Sequence, residues 1–165
     1  MDLRDLLYGA YVLSEQSPDQ STQNGSLIVD DDGTVLAFGC NRFPDRVEDK
    51  EERWERPIKY KFAEHAERNS IYDAANKGIS TKGKIMICPW AACSDCARAI
   101  IQSGIKKLVT HQEAHDRSPS RWVEEIETAF TMLNEADIEV VMFSGDVCEG
   151  NVPLKLRHSG EVWTP

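Results

Sequence analysis

Apolar residues recur at helical spacing at Leu3, Leu6, Leu7, Ala10 and Leu13, which predicts an amphipathic first helix over residues 2–14, packed on a sheet. The polar run SPDQSTQNG ends it. Two short apolar runs, Ser26 to Asp30 and Thr34 to Gly39, flank Asp31, Asp32 and Gly33, the pattern of a hairpin between antiparallel strands. A second helix is expected from Phe62 to Lys77, with Ala63, Ala66, Ile71, Ala74 and Ala75 inward and Gly78 as its stop. KIMIC, Lys84 to Cys88, reads as a third strand, followed by a helix from Cys93 to Ser103 that Gly104 ends. A fourth strand runs from Lys106 to Thr110, a long helix from Pro119 to Ala136, and a fifth strand from Ile138 to Phe143. Helical crossovers make the third, fourth and fifth strands parallel. The fold class is therefore α/β, a three-layer α/β/α sandwich around a five-stranded mixed sheet, in which ligands sit outside the strand ends.

The length of 165 residues fits one domain, drawn as residues 1–145 with a C-terminal tail, 146–165. The tail has few signals beyond Val147, Val152, Leu154, Leu156 and Trp163, and whether it packs on the body or on a neighbouring subunit is left open. Between the hairpin and the second helix, ten of the twelve residues from Asp45 to Arg56 are charged, so loop 44–60 is expected to be solvated. Arg42 just before it and Arg46 within it, nearest the strand end, are the candidates to reach a ligand if the loop acts as a lid, and Trp54 is its anchor.

A net charge of −9 argues against a surface built to neutralise nucleic-acid phosphates, although a local arginine cluster still suits a small anion. Five cysteines (Cys40, Cys88, Cys93, Cys96, Cys148) without disulfide-framework spacing suggest a reducing, cytoplasmic compartment. The N-terminal stretch mixes acids into its apolar positions, so neither a secretory signal nor a transit peptide is expected. No apolar run approaches membrane-spanning length.

The chemistry concentrates between His65 and Cys96. A His-x-Glu, His65 and Glu67, is followed by the Cys-x-x-Cys of Cys93 and Cys96, whose first cysteine lies 28 residues after the histidine. Thiolate and imidazole suit Zn2+, and three protein ligands leave the fourth position open to water, as in catalytic sites. Residues two apart do not share a helix face, so His65 and Glu67 converge only if they sit in a first turn. Cys93 and Cys96 likewise open a helix, where the dipole favours thiolate. Cys88 reads as a buried small hydrophobe rather than a fourth ligand. His111 and His115 form an i, i+4 pair expected in an exposed loop, not a second metal site.

The H-x-E and C-x-x-C constellation resembles the zinc-dependent cytidine and deoxycytidylate deaminase superfamily, over roughly residues 2 to 143, and HAERNSI with the long loop before it is closest to deoxycytidylate (dCMP) deaminases. The resemblance implies a cytidine deaminase-like fold and His65, Cys93 and Cys96 as zinc ligands. It implies hydrolytic deamination of a cytosine nucleotide, dCMP to dUMP and ammonia: water activated by zinc adds to C4 while Glu67 shuttles the protons. It further implies that Asn41 in GCNRFP contacts the sugar, that the main chain of Ala66 contacts the ring, and that Asn69 is the asparagine of the HAExN pattern. Trp90, between Pro89 and Cys93, is expected to line the pocket. Two departures stand out. Ala92 replaces the proline before the first cysteine, and Arg42 with Phe43 put a bulky pair where the family has glycine and a smaller residue, at the expected pocket rim. A homo-oligomer, dimer or hexamer, with dCTP and dTTP as effectors, is implied by resemblance alone. Two other readings stay open: deamination of another base (a cytidine nucleoside, guanine or another purine, or adenosine in tRNA), and a non-catalytic regulatory member. The net charge of −9 disfavours tRNA, and the presence of Glu67 beside the ligand set disfavours an idle site.

Overall fold

The computed structural model describes residues 1–165. The chain begins with α1 (Leu3–Ser14), whose first amides are capped by the Asp2 carboxylate. The hairpin of β1 (Gly25–Val29) and β2 (Val35–Cys40) follows. A 3-10 turn (Glu51–Trp54) and the short α2 (Lys59–Phe62) lie within the charged segment. Then come α3 (Ala66–Asn76), β3 (Ile85–Ile87), α4 (Ser94–Gln102), β4 (Lys107–His111) and the short α5 (Gln112–Asp116). The body closes with α6 (Val123–Glu135) and β5 (Glu139–Phe143), and the tail adds β6 (Leu156–His158) and β7 (Glu161–Trp163).

The main sheet has the order β2-β1-β3-β4-β5. Its first two pairings are antiparallel and its last two parallel, as the crossovers require. Period-2 alternation divides its side chains between two cores. Leu27, Val29, Ile85, Ile87 and Val109 face Leu7, Ala10 and Tyr11 of α1. Ile28, Met86 and Leu108 face Ala74 of α3, Ala97 and Ile100 of α4, and Ala129 and Leu133 of α6. Each fully buried aliphatic side chain contributes roughly 1.5–3 kcal/mol, so the layers hold by area. One close approach matters for the site. A Cβ on Gly39 would lie 2.6 Å from the Ser70 amide nitrogen, so only glycine lets α3 rest this near β2.

Three expectations change. The helix expected over residues 62–77 starts late: α2 ends at Phe62, Ala63 is extended, Glu64 pairs with Arg42 through two backbone hydrogen bonds (3.2 and 2.9 Å), and α3 begins only at Ala66. Ala75, expected inward, is exposed. The helix from Pro119 opens as a 3-10 turn, Ser120–Trp122, before α6. The tail lies on the body: Val147, Cys148, Leu154 and Leu156 join the core beneath α1. Its hairpin turns at Ser159 and Gly160, both with positive φ, as a two-residue type I′ turn requires.

Candidate active site

Two helix starts meet at the sheet's end. His65 is the N-cap of α3 and Cys93 the N-cap of α4, both with extended backbone, and neither side chain caps its helix. Both side chains are therefore left to face each other, with Cys96 from the first turn of α4. His65 Nδ1 lies 3.6 Å from Cys93 Sγ and 3.5 Å from Cys96 Sγ. All three donor atoms lie within 4.8 Å of one another. A tetrahedral zinc with ordinary Zn–N and Zn–S bonds separates such a nitrogen and sulfur by about 3.5 Å. The donors thus fit zinc in both kind and spacing. Cys88 is not a fourth donor; its thiol accepts from the Asn24 amide at 3.3 Å.

The surroundings of the donors favour thiolate at Cys93. The hydrogen bond from Cys96, opposed by burial and aided by His65, holds Cys93 down to about 3, while that same bond and burial push Cys96 up. Burial lowers His65, but its bond with Cys93 and the nearby Glu67 outweigh that and leave it above its ordinary value. Arg68, a residue without a sequence signal, holds its guanidinium 3.6 Å from Cys96 Sγ and pairs with Glu64. Glu67 is the second residue of α3 and only 3% exposed. Its Oε2 has no hydrogen-bond partner, and burial raises its pKa. An unpartnered buried polar atom costs about 1–3 kcal/mol, which the fold bears at this position.

His65, Glu67, Arg68 and Cys93 line a cavity of about 460 Å³. Asn41, Ala66 and Trp90 line it as well. Arg42 and Asn69 do not; they border a separate depression with Phe38 and Tyr72. The backbone pairing with Glu64 turns Arg42 outward onto Asp45, and Asn69 donates to the Cys40 carbonyl at 2.8 Å, fixing the end of β2. Phe43 does not line the cavity either. It is buried and stacks on Trp54 at 4.3 Å, so both rings anchor the charged loop. The cation that this loop sends to the cavity is Arg56, not Arg42 or Arg46, together with Lys59, buried in an ion pair with Asp19 at 2.9 Å. Arg121 and Trp122 before α6 and His158 from the tail complete the wall. No spacing rule marks any of these in the sequence. His111, expected in an exposed loop, is 1% exposed at the end of β4, bonded to Tyr11 and the Gly145 carbonyl, and forms no metal cluster with His115.

A three-donor metal site beside a buried, unpaired carboxyl, at the mouth of a mixed α/β sheet, defines a zinc-dependent hydrolase of the deaminase type. Residues 2–112 match the cytidine and deoxycytidylate deaminase zinc-binding region. An uncharacterized deaminase in the luxG 3′ region of Aliivibrio fischeri is 33% identical over 138 residues, covering 84% of this chain and 90% of that one. Human deoxycytidylate deaminase is 30% identical over 106 residues, covering 61% of this chain and 58% of its own. The chain thus spans a little over half the length of that relative. Among solved structures, dCMP deaminase from cyanophage S-TIM5 in complex with dCMP and dUMP superposes with a TM-score of 0.67 at 24% identity, over 84% of this chain and 94% of that one, a likeness of fold. The chain belongs to the cytidine and deoxycytidylate deaminase family.

Proposed function

We propose that the chain hydrolyses dCMP to dUMP and ammonia. The observation that carries this reading is Glu67, whose buried Oε2 is unpartnered in the cavity that His65 and Cys93 also line. Its relatives' names support the substrate: human and phage T4 proteins matching this chain are deoxycytidylate deaminases. His65, Cys93 and Cys96 would hold the zinc, which when bound would supply the Lewis acidity that makes water acidic near neutral pH. Glu67 takes a proton from the attacking water and hands it to ring N3 as the oxygen adds to C4, then takes the second proton from the new C4 hydroxyl and gives it to the departing amine, so that one water is consumed and ammonia released. The Ala66 main chain, in the first turn of α3, orients the ring. Asn41 spends both amide hydrogens on Thr22 and Asp19 and one lone pair of Oδ1 on the Asn24 amide, which leaves the other lone pair for a sugar hydroxyl.

We also place the reaction in the cytoplasm, a reading supported by five cysteines that are all free, and infer a homo-oligomer, dimer or hexamer, responsive to dCTP and dTTP. No helix is long and apolar enough to cross a membrane. The test is ammonia release from a panel of cytosine, adenine and guanine bases, nucleosides and nucleotides, with and without dCTP and dTTP, on protein whose size is measured in the same buffers. dCMP should be the preferred substrate. Glu67→Gln should keep one zinc per chain and lose about 10²- to 10⁴-fold in rate. A variant retaining most of the rate sinks the role given to Glu67.

A further inference from the structure

Most charges lining the cavity are already balanced. Lys59 pairs with Asp19, Arg68 with Glu64, and Asp95 with Arg98, while Glu125 accepts from Ser94. Arg56 donates to the Ser21 hydroxyl at 3.0 Å. One corner is different. Arg121 lines the cavity from the turn before α6 and makes no ion pair or side-chain hydrogen bond. Beside it, the tail brings His158, whose ring stacks on Trp90 at 4.1 Å and 18°. Trp90 in turn meets Trp163 edge-on at 6.0 Å, and Arg117 lies 4.7 Å over Trp163, adding a second guanidinium behind the corner. Burial and both arginines act against a charge on His158, with only Glu161 opposing them, so this is a cationic corner short of acid. A phosphate monoester meets that shortage, since guanidinium and imidazole both donate to phosphate oxygens.

We propose that Arg121 and His158 form the subsite that takes the substrate's 5′-phosphate, so that residues beyond the family-matched span 2–112 set the preference for nucleotide over nucleoside. This rests on the nucleotide deamination proposed above. The hairpin then has two tasks: His158 steadies the Trp90 wall by stacking and contributes a donor to the anion.

The experiment uses the zinc-loaded full chain and reads the ratio of kcat/KM for dCMP over deoxycytidine, together with calorimetric binding of dUMP and deoxyuridine. Arg121→Gln, and His158→Phe, which keeps an aromatic ring on Trp90, should each lower the ratio by about 10-fold or more, as loss of a charge-assisted hydrogen bond does. Arg56→Gln should move it less. An unchanged ratio, an equal loss on both substrates, or a loss confined to Arg56→Gln would overturn the proposal. If the wild-type chain releases no ammonia from dCMP, the reading of its activity fails, and binding decides the subsite alone. A larger loss for dUMP than for deoxyuridine in Arg121→Gln sustains it; wild-type protein that does not bind dUMP, or variants that lose both equally, refute it.

Discussion

Asn41 and Arg42 are adjacent in the sequence and end on different surfaces. Asn41 turns into the cavity, and Arg42 is held away from it by its backbone pairing with Glu64. That bridge joins residues far apart in sequence, so no local pattern announces it. His65, Glu67, Cys93 and Cys96 were legible because few residue types bind zinc or carry protons, and their spacing is restricted. His111 shows the opposite case: its i, i+4 relation to His115 suggests an exposed pair, yet it is a core hydrogen-bond hub. Tyr11 donates to Nδ1 at 2.7 Å and Nε2 donates to the Gly145 carbonyl at 3.0 Å, which is the neutral tautomer. Burial lowers its pKa, and this outweighs Gly145, Glu113 at 2.8 Å and Asp146, all of which favour the charged ring. A depressed folded pKa means that protons bind the unfolded state better. The stabilisation is therefore whole above the unfolded value of about 6.5 and is lost as pH falls from there through the folded value. The denaturation midpoint should drop below about pH 6.5, and His111→Gln should flatten that slope. An equally steep slope in the variant would assign the effect to other groups.

At the scale of elements, apolar periodicity located every strand of the main sheet and the helices that cover it, to within a few residues. The misplaced start of α3 has a plain cause. Alanines at positions 63 and 66 continue a helical pattern, but the Glu64 pairing with Arg42 extends the backbone and resets the helix at His65. That reset puts Glu67 in the first turn, where it shares a site with His65. The approach of α3 to β2 depends on Gly39. Gly39→Ala should cost about 1–3 kcal/mol, because the new methyl meets a backbone nitrogen and not a movable side chain. Urea denaturation would show the loss, and zinc content should fall with it, since α3 carries His65 at its start. Undiminished stability would mean that α3 and β2 separate more easily than their packing indicates.

For the molecule as a whole, the parallel run of the third, fourth and fifth strands followed from crossover geometry, whereas the tail's contribution did not. Its strands are three residues long and too short to show alternation, so neither the β6–β7 hairpin nor the place of His158 was readable. Net charge also hides local sign: a chain at −9 carries a cationic corner inside its cavity.

The uncapped starts of α3 and α4 have a thermodynamic consequence. A capping side chain is typically worth about 1 kcal/mol, and neither helix has one. An ion gripped by His65 and Cys93 cross-links two first turns whose ligands are 28 residues apart, standing in for both missing caps. Folding and zinc occupancy then become one linked equilibrium, and free metal concentration sets how firmly the helices are seated. Chelation should lower the thermal midpoint, with hydrogen exchange rising first at the opening turns of α3 and α4 and zinc restoring both. A uniform rise across the sheet would show instead that the metal only occupies a scaffold already complete without it.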